Sequence, residues 1–320
     1  MAEGDEGVVQ KTLLIGNGIN RIGQGSVSWD SLIEGLARES GVMPQKMVPF
    51  PMEFERIAAR LSVQPSRKQT NLYDDLKGKF ASLLEQQRIE PGNLHYCLRD
   101  LNANNVITTN YDLSLEKAFG LSDDQKPRVN NNGRYLTEST NTVQGVFFFH
   151  AHGVATAPKT ICLGYDHYMA YIEKMGKILY PPKSDERSLT IEKKIESSEL
   201  MNQMQLTWPE LFFLSDVSIV GLGLDYCESD LWWLITRRAS ILSSNRALKE
   251  KVGVVKYYYI EIPRERPDCE GGEQETERRR QEARRAVLQD LFIKPCGIAA
   301  DSYKEGYRKV IDAIKQDWSE

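Results

Sequence analysis

Hydrophobic and polar positions along the chain alternate between two periods. Residues 9–15, VQKTLLI, form an apolar run that stops at Gly16, which predicts a short buried strand followed by the turn Gly16-Asn17-Gly18. A helix is predicted from near Ser28 or Asp30, because WDSLIEGLARES sets Trp29, Leu32, Ile33 and Leu36 on one face. Pro44, Pro49 and Pro51 punctuate the next stretch. From Glu53 to about Ala103 the spacing is helical throughout, in EFERIAARL, NLYDDLKGKFASLLEQQ and, after Pro91-Gly92, NLHYCLRDL. Strand character returns in the β-branched run from Asn105 to Thr109, which stops at Asn110, and Asp112 is placed to cap the helix LSLEKAFG. A third strand from Val146 to Phe149 runs into His150-Ala151-His152-Gly153, and the apolar segment Thr160 to Leu163 precedes a helix starting near Tyr165. Residues 166–205 read as mostly helical, with a polar break at PPKSDERS.

Val217 to Val220 predicts another strand, ending at Gly221-Leu222-Gly223. After it come the helical ESDLWWLITRRASILSS, the strand-like VGVVKYYYIEI, a polar loop from Pro263 to Glu275 expected to be mobile, an Arg-rich helix, and a last strand and helix. Alternation of short buried strands with helices predicts a doubly wound, mostly parallel, Rossmann-like α/β sheet. No repeat or linker divides the chain, so residues 1–320 are expected to form a single domain, with helical insertions around 30–103 and 165–205. In such a sheet, ligands bind beyond the carboxyl ends of the strands, so the four polar corners are expected on one edge.

Composition narrows the possibilities. With 41% hydrophobic residues in 320, the chain is able to bury a substantial core. Its five cysteines are scattered, with no Cys-x-x-Cys pair, so no metal is expected. The odd cysteine count, with no signal peptide and no apolar run near 18 residues, gives the expectation of a reduced, cytoplasmic setting without a membrane span. A net charge of −4 argues against direct sequence-specific nucleic-acid binding. The run Arg278, Arg279, Arg280, Arg284 and Arg285 lies among glutamates and reads as a solvated helix face, with a partner-binding or nucleic-acid patch as the alternative.

Each corner has a plain reading and a chemical one. GNGINRIGQG departs from the dinucleotide fingerprint at its third glycine, where position 21 is arginine, yet Gly16 and Gly18 would let a pyrophosphate approach the backbone. Asn110 is able to present its amide to ribose hydroxyls or a carboxamide, whereas Asp112 serves equally as ligand or cap. His152, with Gly153 beside it, suits a general base. Strand alternation is expected to send one of His150 and His152 toward the core and the other toward the cleft, while His95 and His167 look structural. Gly221-Leu222-Gly223-Leu224-Asp225 permits close approach by a sugar or phosphate, or merely turns the chain. Trp232-Trp233 and Tyr257-Tyr258-Tyr259 read as core.

Taken in order, GNGIN (16–20), TTNYD (108–112), HAHG (150–153) and GLGLD (221–225) resemble the successive cofactor-site motifs of sirtuin-like proteins. The resemblance implies that Gly16, Asn17, Gly18 and Asn20, with Gly221, Gly223, Leu224 and Asp225, hold the phosphates and adenosine side of NAD+. It implies that Thr109, Asn110 and Asp112 face the nicotinamide ribose, and that His152, beside Gly153, is catalytic. SWDSLIEGL, PFPMEFERIA and TTNYDLSLEKAF resemble the bacterial Sir-two-like branch of antiphage defence. That branch implies hydrolysis of NAD+ to nicotinamide and ADP-ribose by Asn110 and His152, depleting the nucleotide in an infected cell. The paired Cys-x-x-Cys zinc module of the deacetylases is absent, and their TQNID appears as TTNYD, both of which point away from deacylation. The resemblance further implies control through an oligomer or a separately encoded sensor: a nucleotide-binding protein, a short Argonaute or a HerA-type ATPase. Two other readings stay open, a non-catalytic NAD or ADP-ribose sensor and a zinc-free deacylase.

Overall fold

The computed structural model describes residues 9–22, 28–63, 71–129, 133–184, 188–197, 205–263 and 272–319. In chain order the strands are β1 (Lys11–Ile15), β2 (Asn105–Thr108), β3 (Asn141–Val143), β4 (Val146–His150), β5 (Asp216–Val220), β6 (Val255–Glu261) and β7 (Lys294–Ala299). The helices are α1 (Trp29–Glu39), α2 (Phe50–Ser62), α3 (Leu72–Gln86), α4 (Asn93–Arg99), α5 (Ser114–Ala118), α6 (Tyr165–Leu179), α7 (Ile191–Glu196), α8 (Trp208–Leu214), α9 (Ser229–Ser244), α10 (Gly272–Asp290) and α11 (Tyr303–Asp317). One seven-stranded sheet runs β3-β4-β2-β1-β5-β6-β7, parallel except for the edge strand β3. The chain winds outward from β1 through β2 to β4, then returns to β5 on the other side of β1. The switch in strand order therefore lies between β1 and β5. The expected α/β Rossmann-like architecture is the one observed.

Both faces of the central strands are covered, as near-continuous apolar strands require. Leu13, Ile15, Val106, Phe148 and Val220 pack on one face with α4, α5 and α11. Leu14, Ile107, Phe149 and Ile219 pack on the other with α6, α8 and α9. A third apolar cluster joins α1, α2 and α3 to Tyr111, Ala155, Ile161 and Leu163, which follow β2 and β4. The predicted early helical region is thus a layer over the carboxyl ends of those two strands. Trp29 and Phe80 both meet Tyr111 edge-on, with centroids 4.8 and 5.6 Å away. Ser28 caps α1 by accepting a hydrogen bond from the Ser31 N–H at 3.2 Å, in agreement with the predicted start.

Local details add to the sequence reading. The apolar segment Thr160 to Leu163 follows a 3-10 turn at Pro158–Thr160, and its Ile161 and Leu163 fill the third cluster. The hairpin of β3 with β4 escaped the sequence pattern, because β3 is three residues long and polar at two of them. α10 starts at Gly272, inside the segment read as loop; residues 264–271 of that loop lie outside the described residues, as do 185–187 of the polar break.

Candidate active site

The four polar corners leave the carboxyl ends of four adjacent strands, in the order β4, β2, β1, β5. Gly16 and Gly221 meet backbone to backbone across the switch: the Gly16 N–H donates to the Val220 carbonyl at 2.9 Å and the Gly18 N–H to the Gly221 carbonyl at 2.8 Å. A Cβ on Gly16 would lie 2.5 Å from the Gly221 oxygen, and one on Gly18 would lie 2.8 Å from it. These glycines are demanded by the contact between the two corners, whatever binds above them. Gly223 differs, because nothing lies within 4 Å of its Cβ position. Leu224 is buried with φ of 47°, a left-handed conformation that costs a branched residue roughly 1–2 kcal/mol. Asp225 turns the chain into α9: its carboxylate accepts from the Cys227 N–H at 3.1 Å and its carbonyl from the Trp232 indole at 3.0 Å.

Asn20 and Asp112 tie the first corner to the second. The Asn20 amide donates to Asp112 Oδ2 at 2.8 Å, and its oxygen accepts from His95 Nε2 at 2.9 Å. The Gly92 N–H donates to His95 Nδ1, which assigns the proton to Nε2; burial holds this imidazole below the ordinary histidine range. Asp112 Oδ1 accepts from the Ser114 N–H at 3.0 Å, one residue before the Leu113 N-cap of α5 rather than at the cap itself. Asn20 and Asp112 therefore spend their polar atoms on each other and on α4 and α5. Thr109 is buried, and its N–H donates to the Ile15 carbonyl at 3.2 Å. A cleft beside this corner is lined by Ile19, Asn20, Ile22, His95, Lys304 and Arg308, and includes neither Asn110 nor His152.

Asn110 is the opposite case. Its backbone is fixed: the N–H donates to Thr108 Oγ1 at 3.0 Å and the carbonyl accepts from His150 Nδ1 at 2.8 Å. Asn110 is 1% exposed, yet neither Nδ2 nor Oδ1 of its side-chain amide has a hydrogen-bond partner among the described residues. His150 faces an acceptor on each ring nitrogen, since Nε2 lies 2.7 Å from Glu116 Oε1. Burial opposes charging that ring, but the Glu116 carboxylate prevails and holds it above the ordinary histidine range.

Thr108 pairs with His150 in the sheet, so Asn110 and His152 each lie two residues beyond paired strand ends. Residues two apart share a face of a regular strand, so alternation gives no ground for separating His150 from His152. They separate because β4 ends at His150 and the chain turns; Gly153, at φ of 96°, leaves only 2.3 Å between its Cβ position and the Thr160 oxygen. His150 goes to α5, whereas His152 goes to α9, where Nε2 lies 3.0 Å from Asp230 Oδ2. The His152 ring also meets the Tyr168 ring edge-on at 5.5 Å. Burial would lower this imidazole, but the Asp230 carboxylate outweighs burial and raises it. The neighbouring Glu228 carboxyl, partly buried at the start of α9, is pushed up to about 7 by withdrawal from water, with His152 opposing and Asp230 and Asp225 adding to the rise.

Glu116, Asp230, Glu228 and Tyr168 were not singled out from sequence. Each sits in a helix or, for Glu228, at the N-cap of one, where the pattern explains it as an ordinary residue of that element, and only the packing brings it to a corner. Arg284 corrects the reading of the arginine run. While Arg278, Arg279 and Arg280 are exposed, Arg284 is buried; it donates to the Gly223 carbonyl at 2.6 Å and stacks over Tyr226 at 5.1 Å. Arg285 stacks over Tyr259 at 4.3 Å. Among the described residues, no group of three or more His, Cys, Asp or Glu side chains is arranged to hold a metal ion, and no helix is long and apolar enough to cross a membrane.

Residues 104–191 match the family model of the SIR2-like domain, consistent with a sirtuin-like domain. The matched stretch runs from β2 into α7 and contains Asn110, Asp112, His152 and Gly153; both glycine corners lie outside it. No curated protein matches the chain.

Proposed function

We propose that the chain is an NAD+ hydrolase that cleaves the nicotinamide–ribose bond, releasing nicotinamide and ADP-ribose. SIR2-like proteins are NAD-dependent enzymes, and the match over residues 104–191 supports NAD+ as the ligand. The observation that carries the hydrolase reading is the buried Asn110 amide, unbonded at both ends among the described residues, one strand from His152. A buried amide without partners is disfavoured by roughly 1–3 kcal/mol per group, and a ribose hydroxyl or a carboxamide offers both a donor and an acceptor to relieve it.

In this reading the dinucleotide lies across the switch between β1 and β5, with its phosphates over the glycine corners. The C1′–N bond breaks with its electron pair passing to nicotinamide, and the ribose becomes oxocarbenium-like. Asn110 orients the ribose or the water. Water adds its oxygen to C1′, and His152 accepts the proton released. The test is nicotinamide released by the purified chain, compared with Asn110→Ala and His152→Ala. Release beyond one equivalent that both variants abolish supports the hydrolase. Saturable binding of NAD+ or ADP-ribose with no release, either alone or with the genomic-neighbour protein, identifies a sensor instead, and release only with an acylated peptide identifies a deacylase.

The finer assignments rest on the resemblance to the antiphage branch: a cytoplasmic effector that depletes NAD+, works as an oligomer, and is switched by a separately encoded sensor such as a nucleotide-binding protein, a short Argonaute or a HerA-type ATPase. Assaying the chain with and without its genomic neighbour tests that control.

A further inference from the structure

We infer that Asp230 is a positioning residue for His152, fixing the imidazole in the tautomer that carries its proton on Nε2 and leaving Nδ1 as the nitrogen that takes the proton in the proposed hydrolysis. This rests on the hydrolase reading for its chemical meaning, and on geometry alone for the tautomer.

Asp230 Oδ2 lies 3.0 Å from His152 Nε2, and the two side chains are 0% and 4% exposed. An ionised carboxylate only accepts hydrogen bonds, so Nε2 is the donor and the neutral ring keeps its lone pair on Nδ1. The ring has little freedom to turn, held between the edge-on Tyr168 ring and the turn at Gly153, where the Cys162 N–H donates to the His152 carbonyl at 2.9 Å. Asp230 itself is placed by the first turn of α9, an element with no resemblance to a site motif in sequence. Its second oxygen, Oδ1, has no hydrogen-bond partner among the described residues, so the carboxylate is committed to His152 rather than shared.

The groups that act electrostatically on this pair come from several elements: Glu228 before α9, Tyr168 on α6, and Tyr111 and Cys162 after β2 and β4. The charged ones nearest His152 are acidic, so they favour the imidazolium. Asp230 thus makes His152 a stronger base at Nδ1, and its removal weakens that base while freeing the ring to exchange tautomers.

The experiment is a pH titration of the full chain labelled with nitrogen-15 histidine, read by two-dimensional NMR. The chain has four histidines, and His152 is assigned by the signal lost in His152→Gln. The expected result is a neutral His152 protonated on Nε2 in the unaltered chain, and a titration midpoint lower by about one pH unit or more in Asp230→Asn. In nicotinamide release, Asp230→Asn is expected to lower kcat by on the order of 10²–10⁴-fold with KM for NAD+ changed less than about threefold, and to move the acidic limb of the pH profile downward. Asp230→Glu should recover part of kcat. A neutral His152 protonated on Nδ1 in the unaltered chain overturns the inference, even if Asp230→Asn fails to fold. So does an Asp230→Asn protein with unchanged tautomer and midpoint. Because the NMR arm needs no nucleotide, a chain with the expected tautomer but no nicotinamide release, either alone or with its genomic neighbour, refutes the hydrolase reading and leaves the Asp230–His152 pairing standing.

Discussion

Exchanging Asn110 for leucine puts the central observation to a quantitative test. Leucine has the same branching at Cγ as asparagine, so Asn110→Leu replaces Oδ1 and Nδ2 with methyl groups in nearly the same space. In the native chain both polar atoms are buried without a hydrogen-bond partner among the described residues. Removing two such groups returns roughly 1–3 kcal/mol once some overpacking by the tetrahedral carbon is subtracted. For 320 residues at ~2.1 cal/mol/K each, the unfolding entropy is about 0.7 kcal/mol/K, so Tm should rise by about 1.5–4 °C. The assay is thermal unfolding followed by circular dichroism without nucleotide, paired with nicotinamide release. At a hundred times Kd, ADP-ribose should stabilise the native chain by about 2.7 kcal/mol, or roughly 4 °C, and the leucine variant much less. A leucine variant that is less stable by more than about 1 kcal/mol would show that the amide already has partners. One that keeps full nicotinamide release would show that the amide does not act on the substrate.

The two glycine corners predict a contrast: Gly16→Ala drives Cβ into the backbone at Gly221 and Leu222 and should cost upward of ~3 kcal/mol, whereas Gly223→Ala should stay within ~0.5 kcal/mol, as read from urea midpoints. Arg284→Ala should cost about 1–2 kcal/mol and raise KM for NAD+, since it frees the Gly223 carbonyl; unchanged stability would return Arg284 to the solvated face. His167, lowered to about 3 by burial and then by Lys77 and Arg134, binds its proton more readily when unfolded. Its contribution to stability is therefore present above pH ~6.5 and lost as pH falls toward 3, and His167→Asn should flatten the stability–pH curve across that window. Glu228 has the opposite sign: with its folded value raised to about 7, it favours the fold below the unfolded value near 4.5 and loses that contribution as pH climbs to 7. Glu228→Gln should therefore stabilise the chain at pH 8 by on the order of 2 kcal/mol and give no gain at pH 4, and equal effects at the two values would refute the assignment.

Local rules made much of this fold legible from the residues. Apolar runs stopped by Gly16, Asn110 and Gly221 marked strand ends, and alternation with helices implied parallel winding, so the shared edge followed from topology. Ser28 was readable as a cap because a cap needs only its own next turn, whereas Asp112 stands one residue before the Leu113 N-cap and meets the Ser114 N–H from there. The partners of the candidate residues were not readable. Glu116 lies 34 residues before His150 and Asp230 lies 78 after His152, and nothing in either helix pattern marks those carboxylates for an imidazole.

By itself, the sequence determined which residue types stand at each strand end, because hydrophobic periodicity is a local property of the chain. Tertiary structure decided how they are used. It joined Asn20 to Asp112 and left the Asn110 amide unbonded among the described residues; it turned His152 away from the face of His150 and onto Asp230, and it drew Arg284 out of a charged run onto Gly223. Burial and hydrogen bonding depend on which surfaces meet, and those meetings are set by the packing of helices on the sheet, far apart along the chain.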